Sequence, residues 1–282
     1  MNRHLKGHKG YQVVPYPALR RATTATLRSF QRKPMIHALI EVDVTKAREV
    51  LREYKARTGE SFSFTAFIIA CVGKAVDEYK SVQAYRWGKS RLVVFDDVDV
   101  AIVVERDMAG EKYPLLYVIR ATNRKNVQEI HREIRALQAQ DPAKSVLGFT
   151  SIPFLPGVLF TRILYRILRT FPWLHKRAVG TIGVTSVGMF GKGQGIGWGI
   201  PVAASSLAIT LGGLAPKPAV IDGRIAIRDH LCMTLSFDHR ITDGAPAARF
   251  TRRLGELIER GYGLADMTGE SALAVGQGVS QF

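Results

Sequence analysis

The 282-residue sequence predicts a mixed α/β domain, a sheet flanked by helices, on three observations. Apolar runs of strand length alternate with segments whose apolar residues recur at helical spacing. Asp-Gly, Gly-Gly and proline-containing turns punctuate them. The composition is 46% hydrophobic and 23% charged, enough to bury a full core, and one large domain fits this length better than two.

Each element has its own reason. A basic helix is expected over 17–32, opening at Tyr16-Pro17-Ala18-Leu19-Arg20-Arg21-Ala22-Thr23. A strand over 36–42 and a helix over 44–57 follow. The helix over 64–79 is mostly apolar as far as Val76 and belongs at the centre. Strands are expected at 91–96, 98–105 and 115–120, with Asp107 to Pro114 as the turn into the last of these. Helices at 124–139 and 158–170 come next. Strands at 181–187, 206–212, 219–222, 225–228 and 231–237 and a helix at 245–260 complete the pattern. The expected organisation is a basic extension (1–15), the domain itself (16–262) with a helical insert (141–178), and a tail (263–282).

The most informative stretch is Ser236-Phe237-Asp238-His239-Arg240-Ile241-Thr242-Asp243-Gly244. An apolar strand ends, a histidine enters a turn, and Asp243 stands where a helix N-cap belongs, with Gly244 and Pro246 in the first turn. A lone histidine at a strand end is more often a core residue than a catalyst. A rigid turn, however, is a good place to hold a neutral imidazole for proton transfer near pH 7.

The string H-R-x-x-D-G, with strand before and Ala-rich helix after, resembles the signature of the dihydrolipoyl acyltransferase catalytic domain of 2-oxo acid dehydrogenase complexes, a relative of chloramphenicol acetyltransferase. Gly183-Val184-Thr185-Ser186-Val187-Gly188-Met189-Phe190-Gly191 is similar to that family's strand and turn of the form S/T-N-L-G-M-F-G. Ser205 to Gly213 resembles its apolar strand, and Val220 to Ile227 its hairpin with an Asp-Gly turn. The resemblance spans roughly 16–262 and implies a chloramphenicol acetyltransferase-like mixed sheet flanked by helices. It implies His239 as general base and Thr185, on an adjoining chain, as the hydroxyl that stabilises the oxyanion. Asp243 holds the loop, with Arg20 or Arg21 as its partner, while Arg240 and Ser186 support the turn and the oxyanion strand. Coenzyme A is the implied substrate and a homotrimer or larger oligomer the implied assembly. The acceptor is a thiol such as dihydrolipoamide, carried by a separate lipoyl-bearing protein or free.

The sequence departs from the pattern in places. No D-K-A lysine turn of a lipoyl domain is present, so no lipoyl lysine is expected in this chain. Ser186 stands where asparagine is usual, and Gly199-Ile200-Pro201-Val202-Ala203-Ala204-Ser205-Ser206 replaces N-P-P-Q. These changes keep two alternatives open: an acetyltransferase acting on a small hydroxyl compound, and a non-enzymatic scaffold of the same fold.

Charge and residue spacing exclude other classes. Cys71 and Cys232 look like buried small hydrophobes, which suits a reducing cytoplasm. His4 and His8 have no carboxylate or thiol to complete a site, so no metal is expected. The run Gly191-Lys192-Gly193-Gln194-Gly195-Ile196-Gly197-Trp198-Gly199 precedes a strand, not a helix, and is no dinucleotide site; it reads as a loop over the active-site mouth or a plain connector. A net charge of +16 attracts polyanions in general, but no nucleic-acid motif accompanies it, and nucleic acid is not an expected partner. Within the insert, Arg162, Arg166 and Arg169 recur at helical spacing among apolar and aromatic residues. Its apolar runs are too short to span a bilayer. Packing between subunits, docking of a partner and contact with a membrane surface through 149–177 all remain open.

Overall fold

Alternating β-branched and apolar residues build the sheet at the centre of the fold. The computed structural model describes residues 16, 24, 33–108, 111–139, 166–168, 170–187 and 196–265. The strands are β1 (Met35–Asp43), β2 (Tyr85–Trp87), β3 (Arg91–Val93), β4 (Val100–Met108), β5 (Glu111–Ile119), β6 (Ile182–Ser186), β7 (Leu207–Ile221) and β8 (Arg224–Asp238). The helices are α1 (Thr45–Thr58), α2 (Phe64–Glu78), α3 (Val127–Ala139), α4 (Pro172–Val179) and α5 (Gly244–Glu259).

Six strands form one mixed sheet in the order β1-β8-β7-β6-β4-β5, and β2 and β3 form a separate ribbon. The β4–β6 and β6–β7 pairs are parallel, and the other pairs are antiparallel. One face carries the core. Ile209 and Leu211 of β7, and Met233, Leu235 and Phe237 of β8, join a single buried cluster with α2 and α5. α2 is buried almost all round from Ala66 to Val76, and its start is set by Ser63, whose hydroxyl accepts the Ala66 N–H at 3.2 Å. α5 buries only a stripe, Ala247, Phe250, Leu254, Leu257 and Ile258. The Phe250 ring meets Phe237 edge-on at 5.9 Å, which fixes the helix over the end of β8.

The other face of β8 is buried too, and it is polar: Thr234, Ser236 and Asp238 alternate with the core residues. The segment 196–206 crosses this side. Gly197 O accepts the Gly213 N–H at 3.0 Å, and Trp198 Nε1 donates to Ile40 O at 3.0 Å. The crossing is so close that a β-carbon on Gly212 would lie 2.3 Å from Gly197 O. The glycine run is therefore strapped to the sheet over its described part, and Gly191 to Gly195 lie outside the described residues.

The architecture is the expected one, but several elements differ. The four short strands expected at 206–212, 219–222, 225–228 and 231–237 are two strands of 15 residues each. Pro216 and Pro218 lack the N–H that a central strand needs. β6 stops opposite Leu211, however, so beyond it β7 is the free edge of a two-stranded arm, where proline is tolerated. Asp222 and Gly223 close that arm with φ of 50° and 75°, the tight turn that Asp-Gly favours. Asp107 to Pro114 is paired strand, not a turn: Asp107 lies opposite Lys112 and Glu105 opposite Pro114. The strand expected at 91–96 is only Arg91–Val93 and pairs with an unexpected β2. α4 was not expected within the insert; Pro172 in its first turn is the signal. The helices expected at 17–32 and 158–170 lie mainly outside the described residues, although 166–168 and 170 are helical.

Gly212→Ala should lower stability by roughly 1–3 kcal/mol through overpacking against the 196–197 crossing. Gly255→Ala, in the interior of α5 with nothing within 4 Å of a new β-carbon, should raise it by up to about 1 kcal/mol. Denaturant midpoints for the two variants should move in opposite directions.

Candidate active site

The turn after β8 is locked from three sides. Asp238 N–H donates to Ser206 O at 2.8 Å, and His239 N–H donates to Pro34 O at 2.8 Å. Ile241 and Thr242 N–H both close back on Asp238 O, at 2.9 and 3.0 Å. The Asp238 side chain, 1% exposed, accepts from Arg240 Nε at 2.8 Å and Arg240 Nη2 at 2.5 Å. Burial alone would raise this carboxyl; the Arg240 hydrogen bonds and the Arg240 and Lys33 charges outweigh it and hold the pKa below the ordinary carboxylate value. Lys33 reaches in from the start of β1, and its Nζ donates to Ala204 O and to Ser205 O at 3.2 Å. Burial brings its pKa down to about 8, against the raising effect of Asp238.

His239 stands on this frame with its side chain 46% exposed, and its Nδ1 lies 3.6 Å from Asp243 Oδ1. A carboxylate on that side favours the tautomer with the proton on Nδ1, leaving the Nε2 lone pair to act as a base. Asp243 occupies the N-cap position, but its side chain caps no backbone amide. The expectation that it accepts helix amides is thus corrected: it faces the imidazole and solvent. Arg20 and Arg21, its expected partners, lie outside the described residues. Arg240 anchors the turn.

Thr185 is half-buried near the C-terminal end of β6, and Ser186 after it is exposed. Thr185 aligns with Thr210 on β7, and Thr210 with Thr234 on β8. His239 is five residues beyond Thr234, at the opposite end of the sheet. With ~3.3 Å per residue along the strand and ~4.8 Å between strands, the hydroxyl and the imidazole of one chain are ~19 Å apart. One chain therefore does not bring them together.

Lys33 and Asp238 escaped the sequence reading. Asp238 had a signal: a lone carboxylate closing an apolar strand, with an arginine two residues on, marks a buried ion pair. Lys33 had none, lying in an acid-free basic stretch. Cys71 and Cys232 are both buried and unbridged, as expected. Among the described residues, no cluster of histidine, cysteine and carboxylate side chains is grouped for a metal ion.

The family model for 2-oxoacid dehydrogenases acyltransferase (catalytic domain) matches residues 8–146 and 175–265. The lipoamide acyltransferase component of the branched-chain alpha-keto acid dehydrogenase complex of Bacillus subtilis is 26% identical over 258 residues, 89% of this chain and 53% of that protein. The chain spans about half the length of the curated relatives it matches. Among solved structures, a probable dihydrolipoamide acetyltransferase from Listeria monocytogenes superposes with a TM-score of 0.64 at 23% identity, covering 90% of this chain and 96% of that one. Dihydrolipoamide acetyltransferase from Azotobacter vinelandii gives 0.66 at 21% identity, covering 88% and 91%. These likenesses show the fold.

The site's ionisations set an acid limit. His175, on α4, has its pKa pushed down to about 4 by burial and by Lys33. Between 6.5 and about 4 the unfolded chain takes up a proton there that the folded chain refuses. Stability should therefore fall as pH falls through this window, by up to about 3 kcal/mol. Asp238, depressed in the fold, should add a further loss below the ordinary carboxylate range. Denaturation midpoints at pH 7, 5.5 and 4.5 should show a flatter decline for His175→Phe than for wild type.

Proposed function

Because the chain belongs to the 2-oxoacid dehydrogenase acyltransferase catalytic-domain family, we propose that it moves an acyl group between coenzyme A and a thiol acceptor resembling dihydrolipoamide, with His239 as general base. The observation that carries this reading is the half-exposed imidazole on a turn held by Pro34, Ser206 and the Asp238–Arg240 pair, with a carboxylate beside Nδ1. Thiols are mostly protonated at neutral pH and only the thiolate attacks, so the base makes the nucleophile. Nε2 of His239 takes the acceptor's proton as its sulfur adds to the thioester carbonyl. Negative charge then collects on the carbonyl oxygen, where a hydroxyl donor stabilises it by roughly 3 kcal/mol. Collapse expels the first thiolate, which recovers the proton from the imidazolium.

The hydroxyl is Thr185 of a second copy, since the one in the same chain is ~19 Å away by strand spacing. The active unit is accordingly a homotrimer or larger ring, with each site built between neighbours. Asp243 orients the imidazole. A lipoyl group on another protein is the proposed acceptor carrier, and a reducing cytoplasm, consistent with two unbridged cysteines, the proposed location.

Acyl transfer from acetyl-coenzyme A to dihydrolipoamide, followed by thioester absorbance, tests the reading. His239→Ala should lower kcat by about 10²–10⁴, and unchanged rates in that variant would remove the catalytic assignment. Thr185→Val should lower it by about 10²–10³. Co-refolding His239→Ala with Thr185→Val should restore about one quarter of wild-type activity, because random mixing gives that share of sites both intact groups. No recovery would place both groups in one chain.

A further inference from the structure

We propose that the face formed by the β2–β3 ribbon and the N-terminal end of α4 docks this protein on an anionic lipid bilayer. This claim does not depend on the transfer reaction. The face displays Ile167, Phe171 and Trp173, of which Trp173 is 56% exposed. The group is built, not scattered. Trp87 Nε1 on β2 donates to Thr170 O at 2.9 Å, which fastens the ribbon to the chain entering α4. The Phe171 and Trp173 rings lie 5.0 Å apart. Arg91 stacks its guanidinium 4.0 Å from the Trp87 ring centroid. From behind, Arg120 Nη1 donates to Lys176 O at 2.9 Å and to the Asp99 carboxylate at 2.8 Å, so α4 presents its aromatic end from a fixed base.

The charge around the face selects the partner. Lys89, Arg91 and Arg166 are exposed there, and no acidic residue occurs anywhere from 142 to 221. Asp97, at the end of the ribbon, is engaged by Arg124 at 2.6 Å and Lys176 at 3.8 Å, and Asp96 lies 3.7 Å from Lys80. Tryptophan and phenylalanine at the level of lipid headgroups, with arginines reaching the phosphates, is the arrangement of a surface-bound and not a spanning segment. Among the described residues no helix is long and apolar enough to cross a membrane.

Two other partners fit less well. A second copy meeting this face about a two-fold axis would set these cations against their own images. The groove between β1 and α5 is lined by Glu41, Glu256 and Glu259, but Glu41 is held by Lys217 at 2.5 Å and Glu256 by Arg253 at 3.4 Å, which leaves one carboxylate to face the cations. Nucleic acid would use the arginines and the Phe171 and Trp173 rings but would leave the aliphatic Ile167 beside them without a partner.

The test is co-sedimentation of the full chain with phosphatidylcholine vesicles containing about one quarter phosphatidylglycerol, a fraction chosen to give a negative surface potential. Binding should be strong with these vesicles, weak with phosphatidylcholine alone and reduced by added salt. Phe171→Ala with Trp173→Ala should weaken it roughly tenfold, and Arg91→Gln and Arg166→Gln about fivefold each. Trp173→Phe serves as the fold-preserving variant: it should still bind but lose the blue shift of tryptophan emission on adding vesicles. Equal binding by the double alanine variant, or no binding to anionic vesicles, overturns the proposal. So does binding to RNA without binding to vesicles, or a changed oligomeric state in Trp173→Phe without lipid binding.

Discussion

A carboxylate that is 1% exposed has to be paired, and the way Asp238 is paired shapes the rest of the turn. Removing it from water is costly unless hydrogen bonds and opposite charge replace the lost solvent. Arg240 supplies a forked pair of bonds from two residues further on, and Lys33 adds its charge from the start of β1. With 238 and 240 tied to each other, the chain between them has little freedom, and the imidazole of His239 projects toward solvent and Asp243. A histidine on an unconstrained loop would lose rotational freedom each time it met a substrate; here that loss is taken during folding.

The sheet register imposes the second constraint. β6 and β7 run parallel, and β8 returns antiparallel, so a residue near the end of β6 and one following β8 fall at opposite ends of the sheet. No side-chain rearrangement closes a gap of about five residues along a strand. Each chain therefore carries the His239 imidazole at one end of the sheet and the Thr185 hydroxyl at the other. On the transfer reaction proposed above, assembly and activity become one property, since neither end acts alone.

Much of this was legible in the sequence, for reasons that differ from residue to residue. His239 and Asp243 could be placed because their surroundings are local: an apolar strand, a turn and a helix start within a dozen residues. α2 was legible because a mostly apolar helix has few places to go. The long arm of β7 and β8 was not, because the status of Pro216 and Pro218 depends on where a different strand, β6, ends. The direction of the Asp243 side chain was equally hidden, since an N-cap aspartate and an imidazole-facing aspartate share one sequence position. Lys33 is the extreme case: its partners, the carbonyls of Ala204 and Ser205, are distant in the chain and leave no pattern in side-chain identity.

The excess of positive charge follows from the same pairing rules. Several carboxylates already have arginine partners: Asp43 with Arg228, Glu78 with Arg253, Asp99 with Arg120 and Asp238 with Arg240. With 40 lysines and arginines against 24 carboxylates, the surplus has no internal counter-charge and must lie at the surface. Such a field draws in any polyanion, the phosphates of coenzyme A and of lipids alike, and salt screens it within about 10 Å. Charge alone therefore explains attraction but not selection. Selection needs short-range chemistry: at the His239 turn an imidazole with a carboxylate beside it, and on the α4 face the exposed rings of Phe171 and Trp173.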